Sequence, residues 1–150
     1  MNIKSTSCVS LILIFFVSSS YAAGDMTAQA EIPMTVTLGN VKNSLRFYPD
    51  KLEFETGKLY KLIITNPSRN KHYFSAEGLA RSVFTRKVQI LNNSNNIIAE
   101  VKGHINEIEV YPNGKTEWWF VPIKTLEKSL LRCSIKGHTE AGMRGQITIR

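Results

Sequence analysis

Cys133, His138 and Met143 fall in Cys133-Ser-Ile-Lys-Gly-His138-Thr-Glu-Ala-Gly-Met143, a Cys-x4-His-x4-Met spacing. A thiolate, an imidazole and a thioether this close in one loop suit copper that alternates between Cu(I) and Cu(II). The characteristic donor set for such copper is a trigonal Cys and two His with a long, weak axial Met. The loop offers three of those four groups, so a second histidine must come from elsewhere. The chain has three histidines, which leaves His72 and His104. His72 closes Asn66-Pro-Ser-Arg-Asn-Lys-His72, just after an apolar strand-like run, at a strand end where loops gather. His104 follows the Lys102-Gly103 turn with Glu107 nearby and reads as a surface or hydrogen-bonding histidine. The expected metal ligands are therefore His72, Cys133, His138 and Met143. One ring nitrogen of His72 should face the metal, with the other, or the adjoining backbone, held by protein hydrogen bonds. Glu77 and Glu140 are the oxygen donors that could replace Met143 at the axial position.

These residues, with Phe47-x-Pro49-x-x-Leu52 leading into Gly57, the strand ending at Thr65-Asn66 and the Tyr111-Pro-Asn-Gly114-x-Thr116 turn, resemble the cupredoxins, the family of plastocyanin, azurin and rusticyanin. The resemblance covers roughly Leu45 to Arg150, and the loop spacing is most similar to the rusticyanin and auracyanin kind. It implies a type 1 copper site in a Greek-key β-sandwich. The chain departs from many members at Tyr73 after the first histidine, at Lys136-Gly137 before the second, and at Leu131-Arg132 ahead of the cysteine.

The segment that must deliver such a domain comes first. Met1 to Ala22 reads as a signal peptide, with Lys4 as the positive region, Val9 to Val17 as the apolar region and Ser20-Tyr21-Ala22 at the cleavage site. The apolar run is shorter than the roughly 20 residues that span a bilayer, so no stable membrane anchor is expected after cleavage. Export to a bacterial periplasm is the expected localisation. Cys8 leaves with the signal, so Cys133 becomes the sole thiol and no internal disulfide can form. In oxidising surroundings a lone thiol is best buried or held by metal.

Residues 23–150 suit one domain large enough to bury a core, with residues 23–30 as a flexible start. The net charge is +7, falling to +6 when Lys4 is removed. Arg69, Lys71, Arg81, Arg86, Lys87, Arg132, Lys136 and Arg144 lie near ligand residues in sequence and predict a basic collar that would steer an acidic redox partner to dock near His138. No nucleic-acid motif accompanies the charge.

Short strands must position the ligands. Met34, Val36 and Leu38 alternate with Thr35 and Thr37 as in a half-buried strand. Leu45 to Phe54 is extended around Pro49-Asp50, and Leu59 to Thr65 is apolar through Leu62, Ile63 and Ile64, as where both faces are covered. Ala76 to Arg86 carries Leu79, Ala80, Val83 and Phe84 at helical spacing and predicts a short helical insertion, followed by a strand at Val88 to Leu91. Asn92 to Asn96 is a turn. Further strands are expected at Ile97 to Val101, Ile105 to Val110, Thr116 to Val121, Leu130 to Cys133 and Gln146 to Arg150, with Glu127-Lys128 in a loop. A strand through Trp118-Trp119-Phe120 must send Trp119 to the face opposite its neighbours, into the core or onto an exposed docking surface. The expected fold is all-β, a Greek-key β-sandwich of seven or eight strands with one short helical insertion.

Two functions fit these readings. One is a single-electron carrier with one copper cycling between Cu(I) and Cu(II). The other is a copper carrier or chaperone that buffers or delivers the ion. A copper enzyme would need a second site with three more histidines, and only His104 remains.

Overall fold

A computed structural model describes residues 24–150; the expected signal peptide, residues 1–22, lies outside the described residues. Eleven strands and one helical turn follow in chain order among them: β1 (Ile32–Leu38), β2 (Phe47–Tyr48), β3 (Lys51–Phe54), β4 (Tyr60–Thr65), β5 (His72–Ser75), α1 (Glu77–Ala80), β6 (Val83–Leu91), β7 (Ile97–Val101), β8 (Glu107–Val110), β9 (Lys115–Pro122), β10 (Leu126–Arg132) and β11 (Arg144–Ile149). They form a six-stranded sheet of order β2-β1-β4-β9-β6-β7 and a five-stranded sheet of order β3-β11-β10-β5-β8. Pairing is antiparallel except for β1 with β4 and β3 with β11. The connections β2–β3, β3–β4, β4–β5, β5–α1–β6, β7–β8, β8–β9 and β9–β10 cross between the sheets of this all-β sandwich. No described helix is long and apolar enough to cross a membrane.

The period-2 pattern explains which faces meet. Val36 and Leu38 in β1, Leu62 and Ile64 in β4, and Trp118 and Phe120 in β9 are fully or almost fully buried between the sheets. Aromatic rings fill the interior in edge contacts: Phe47 with Phe74 at 6.3 Å, Phe74 with Trp118 at 6.4 Å, Trp118 with Phe120 at 5.2 Å and Phe120 with Phe54 at 5.2 Å. Such pairs contribute about 0.5–1.5 kcal/mol each beyond their burial. Phe74, within this chain of rings, stands two residues from His72, so the ligand end of the sandwich rests on the aromatic core. Trp119 points outward as alternation requires. It is half-buried with Lys61 and Lys87 ammonium groups 5.0 and 4.9 Å from its ring, so it is a capped surface ring and no open docking patch.

Several expectations need correction. Eleven strands among the described residues replace seven or eight: Pro49 divides the Leu45 to Phe54 region into the two short strands β2 and β3, and His72 to Ser75, where no strand was expected, form β5. The helical insertion is a single turn. Val83 and Phe84 open β6, opposite Pro122 and Val121, since β-branched and aromatic side chains pack better on a pleated surface than beyond one helical turn. In β4 only Tyr60, Leu62 and Ile64 are buried; Ile63 is half-buried on the outer face. Glu127 and Lys128 belong to β10, where the register shifts between Leu126 and Ser129 and Lys128 takes a φ of 47°. Residues 24–30 are tied down in part: the Gln29 amide donates to the Gly57 carbonyl at 2.8 Å, and Arg86 donates to the Thr27 carbonyl at 3.2 Å.

Candidate metal centre

Strand pairing assembles the site. Arg132, the last residue of β10, pairs with Ser75 of β5, so Cys133 arrives beside the start of β5 where His72 stands opposite Val110 of β8. The Tyr73 backbone N–H points at the Cys133 sulfur, 3.4 Å away. Cys133 Sγ lies 4.0 Å from His72 Nδ1 and 3.4 Å from His138 Nδ1. The donor atoms of His72, Cys133 and His138 all fall within 4.8 Å of one another, and the two imidazole rings are 5.2 Å apart at 55°.

The loop from Cys133 to Met143 is closed by its own backbone. The His138 N–H donates to the Ile135 carbonyl at 3.0 Å, the Met143 N–H to the His138 carbonyl at 2.9 Å, and the Cys133 N–H to the Met143 carbonyl at 3.1 Å. The Thr139 hydroxyl donates to the Cys133 carbonyl at 2.8 Å. Gly137 takes a φ of +84° with open space where a Cβ would stand, so its role is conformational: it allows the turn that presents His138. Four-residue spacers thus fold into one tight turn whose ends, Cys133 and Met143, are hydrogen-bonded to each other.

Burial grades the four predicted ligands. His72, Cys133 and Met143 are 0% exposed, whereas His138 is half-buried. Met143 packs in the core with Cys133. Burial, and secondarily the charge on His138, holds the His72 pKa below the ordinary imidazole value, which favours the neutral ring with a lone pair to give. The alternatives are elsewhere. Glu140 is exposed; Glu77 is exposed and faces Arg81 and Arg132 at 3.7 and 3.9 Å. His104 is exposed and shares a hydrogen bond with Asn106 at 2.9 Å.

Of the two holds expected for His72 it is the backbone one that is present, in β5 opposite Val110; its Nε2 is buried with no hydrogen-bond partner among the described residues. Instead the ring edge faces Gly39, where a Cβ would lie 3.2 Å from Nε2, 3.1 Å from the Ser44 carbonyl and 3.1 Å from Ser68 Cβ. Gly39, at φ +71°, therefore supplies both a left-handed turn and room for the ring. Sequence reasoning assigned no role at the site to Gly39, Ser68 or the Tyr73 N–H; no local motif marks them.

The basic collar is smaller than expected. Arg81 and Arg86 lie near Val83 and Pro122, at the end of the sandwich away from the site, and Lys87 is engaged with Trp119 and Glu100. Lys71 is paired with Glu109 at 2.8 Å, and Arg132 lies 3.9 Å from Glu77. Arg69, Lys136 and Arg144 are exposed, with no carboxylate within 4.0 Å among the described residues.

With that geometry in place, solved structures give the wider comparison. Auracyanin B aligns with a TM-score of 0.51 at 15% identity, over 81% of this chain and 89% of that one. Auracyanin A, a "blue" copper protein from the green thermophilic photosynthetic bacterium Chloroflexus aurantiacus, aligns at 0.50 with 14% identity, over 81% of this chain and 100% of that one. The protein has the cupredoxin fold. A multicopper oxidase from Campylobacter jejuni aligns at 0.55 with 15% identity over 80% of this chain, and this cupredoxin fold spans 30% of the oxidase. No family model and no curated protein matches the sequence. Within the cupredoxin fold the donor set itself, one thiol, two imidazoles and a thioether at a buried strand end, fits a single copper ion better than a hard cation, which would ask for oxygen ligands.

Proposed function

We propose that this protein is an exported single-electron carrier that holds one copper ion between His72, Cys133 and His138, with Met143 as the weak axial donor. The observation that carries this reading is the convergence of three donor atoms within 4.8 Å in a site where only His138 reaches the surface. Bound copper supplies the one-electron couple. The chain does the rest. His72 and Cys133 keep water from the ion, and the Tyr73 N–H placed 3.4 Å from Sγ helps to stabilise a thiolate. A closed loop, hydrogen-bonded end to end, holds the donors in place while the ion's charge changes. His138, half-buried, gives a partner its shortest approach.

The other reading, a periplasmic carrier that buffers or delivers copper, asks for an open and labile site. Full burial of His72, Cys133 and Met143 favours electron transfer. A challenge of the copper-loaded protein with bathocuproine or cyanide separates the two: retention over hours with reversible one-electron cycling is expected, and loss within minutes would favour delivery. The partner proposed is an acidic redox protein docking near His138 and steered by Arg69, Lys136 and Arg144, so added salt should slow the exchange.

The axial assignment is tested separately. Met143→Leu should retain copper and raise the reduction potential, because losing a weak donor and gaining an apolar group both favour the less charged Cu(I). Met143→Gln should lower it. Potentials that stay at the wild-type value in both variants would move attention to Glu140 or Glu77.

A further inference from the structure

We infer that Asn66, which lies outside the ligand set, is the positioning residue that sets the pose of His72. The inference rests on His72 being a ligand, and it starts from the ring itself. An imidazole ligand is ordinarily oriented by a hydrogen bond to its second nitrogen. Here Nε2 has no such partner among the described residues, so the ring must be oriented by what packs around it and by the loop that carries it.

That loop is pinned through one side chain. Asn66 is 1% exposed, and its amide has two donors and an acceptor oxygen with two lone pairs. All are used. Nδ2 donates to the Asn70 carbonyl at 2.8 Å and to the Val110 carbonyl at 2.7 Å. Oδ1 accepts from the Ser68 N–H at 3.0 Å and from the Ser68 hydroxyl at 2.7 Å. The Asn66 backbone is tied as well, with its N–H donating to the Gly114 carbonyl at 3.1 Å and its carbonyl accepting from the Asn113 N–H at 2.7 Å.

Two of these contacts bear directly on His72. Val110 is the register partner of His72, so the amide anchors the strand directly opposite the ligand. Ser68 is the residue whose Cβ shares with Gly39 the space beside His72 Nε2. The ring is thus held between Cys133 on one edge and the Gly39–Ser68 wall on the other, and Asn66 fixes that wall. Residues 67–71, of which Arg69, Asn70 and Lys71 are exposed, have other ties, the Arg69 N–H to Asn43 Oδ1 at 2.9 Å and Lys71 to Glu109 at 2.8 Å, but it is the Asn66 amide that joins Ser68 and Asn70 to the strand opposite His72.

Asn66→Asp keeps the acceptor for Ser68 and loses both Nδ2 donors, whereas Ser68→Ala keeps those donors and removes the hydroxyl bond. Both are to be compared with wild type in two forms. In the metal-free protein, the nuclear Overhauser contact between the His72 and His138 rings should weaken in Asn66→Asp, which loses the bonds to the Asn70 and Val110 carbonyls. In the Cu(II) form, the electron paramagnetic resonance and visible spectra should shift toward a less trigonal site. Ser68→Ala should move the same signals by less, and it carries the test if Asn66→Asp does not fold. A folded variant with wild-type His72–His138 contact and wild-type copper spectra would overturn the inference, leaving Asn66 as a loop tie alone. If wild type takes up no copper, the copper reading fails, and the metal-free ring contact still decides whether Asn66 positions His72.

Discussion

Cys133→Ser is expected to abolish the intense visible absorption of the copper-loaded protein while the sandwich stays folded. The colour expected of the wild type arises from charge transfer between a short thiolate bond and Cu(II), and Cys133 is the free cysteine of the described residues. Its sulfur lies 4.0 and 3.4 Å from the two imidazoles, and among the described residues no other thiol can take its place. The fold does not depend on it. Fully burying a Leu or Phe side chain contributes about 1.5–3 kcal/mol. Phe47, Phe54, Phe74, Phe120, Leu38, Leu52, Leu59, Leu62 and Leu131 are all at least 98% buried, far outweighing one small thiol. The check is a pair of measurements on one sample: visible absorption after Cu(II) addition and a far-ultraviolet circular dichroism melt. A variant as strongly coloured as wild type would remove Cys133 from the site.

The second large effect separates the histidines. His72→Gly should empty an equatorial position, shift the copper spectrum toward a less trigonal type and accept added imidazole as a replacement donor. His72 is wholly buried with Nδ1 4.0 Å from the sulfur, so its removal leaves a space beside Cys133 into which a free ring can enter. His104→Ala should leave spectrum and affinity unchanged, since that ring is exposed and hydrogen-bonded to Asn106. An altered spectrum from His104→Ala with a silent His72→Gly would reverse the assignment.

Much of this site is legible in the sequence because its chemistry is local. Cys133, His138 and Met143 are brought together by one short turn, and Gly137 marks where that turn must be made. Alternation placed Trp119 on the face opposite Trp118 and Phe120 and left open which face is the core. What sequence cannot show is what closes over long separations. Asn66 reaches Val110 across 44 residues, and Gly39 meets His72 only because the turn after β1 folds over the start of β5. Neither pairing leaves a periodic trace. The same limit explains the collar: Arg81 and Arg86 are close to His72 along the chain, but β6 begins at the far end of the sandwich. Val83 and Phe84 were misread for a different reason, since a short apolar run satisfies helical and extended spacing alike.

The central claim, one copper bound by Cys133 with His72 and His138, is tested most directly by titrating the metal-free protein with Cu(II) while recording visible absorption. The account predicts an intense thiolate-to-copper band that saturates at one ion per chain and bleaches reversibly on one-electron reduction. Only the faint absorption of copper held by nitrogen and oxygen donors, with no thiolate band at any ratio of metal to protein, would contradict it.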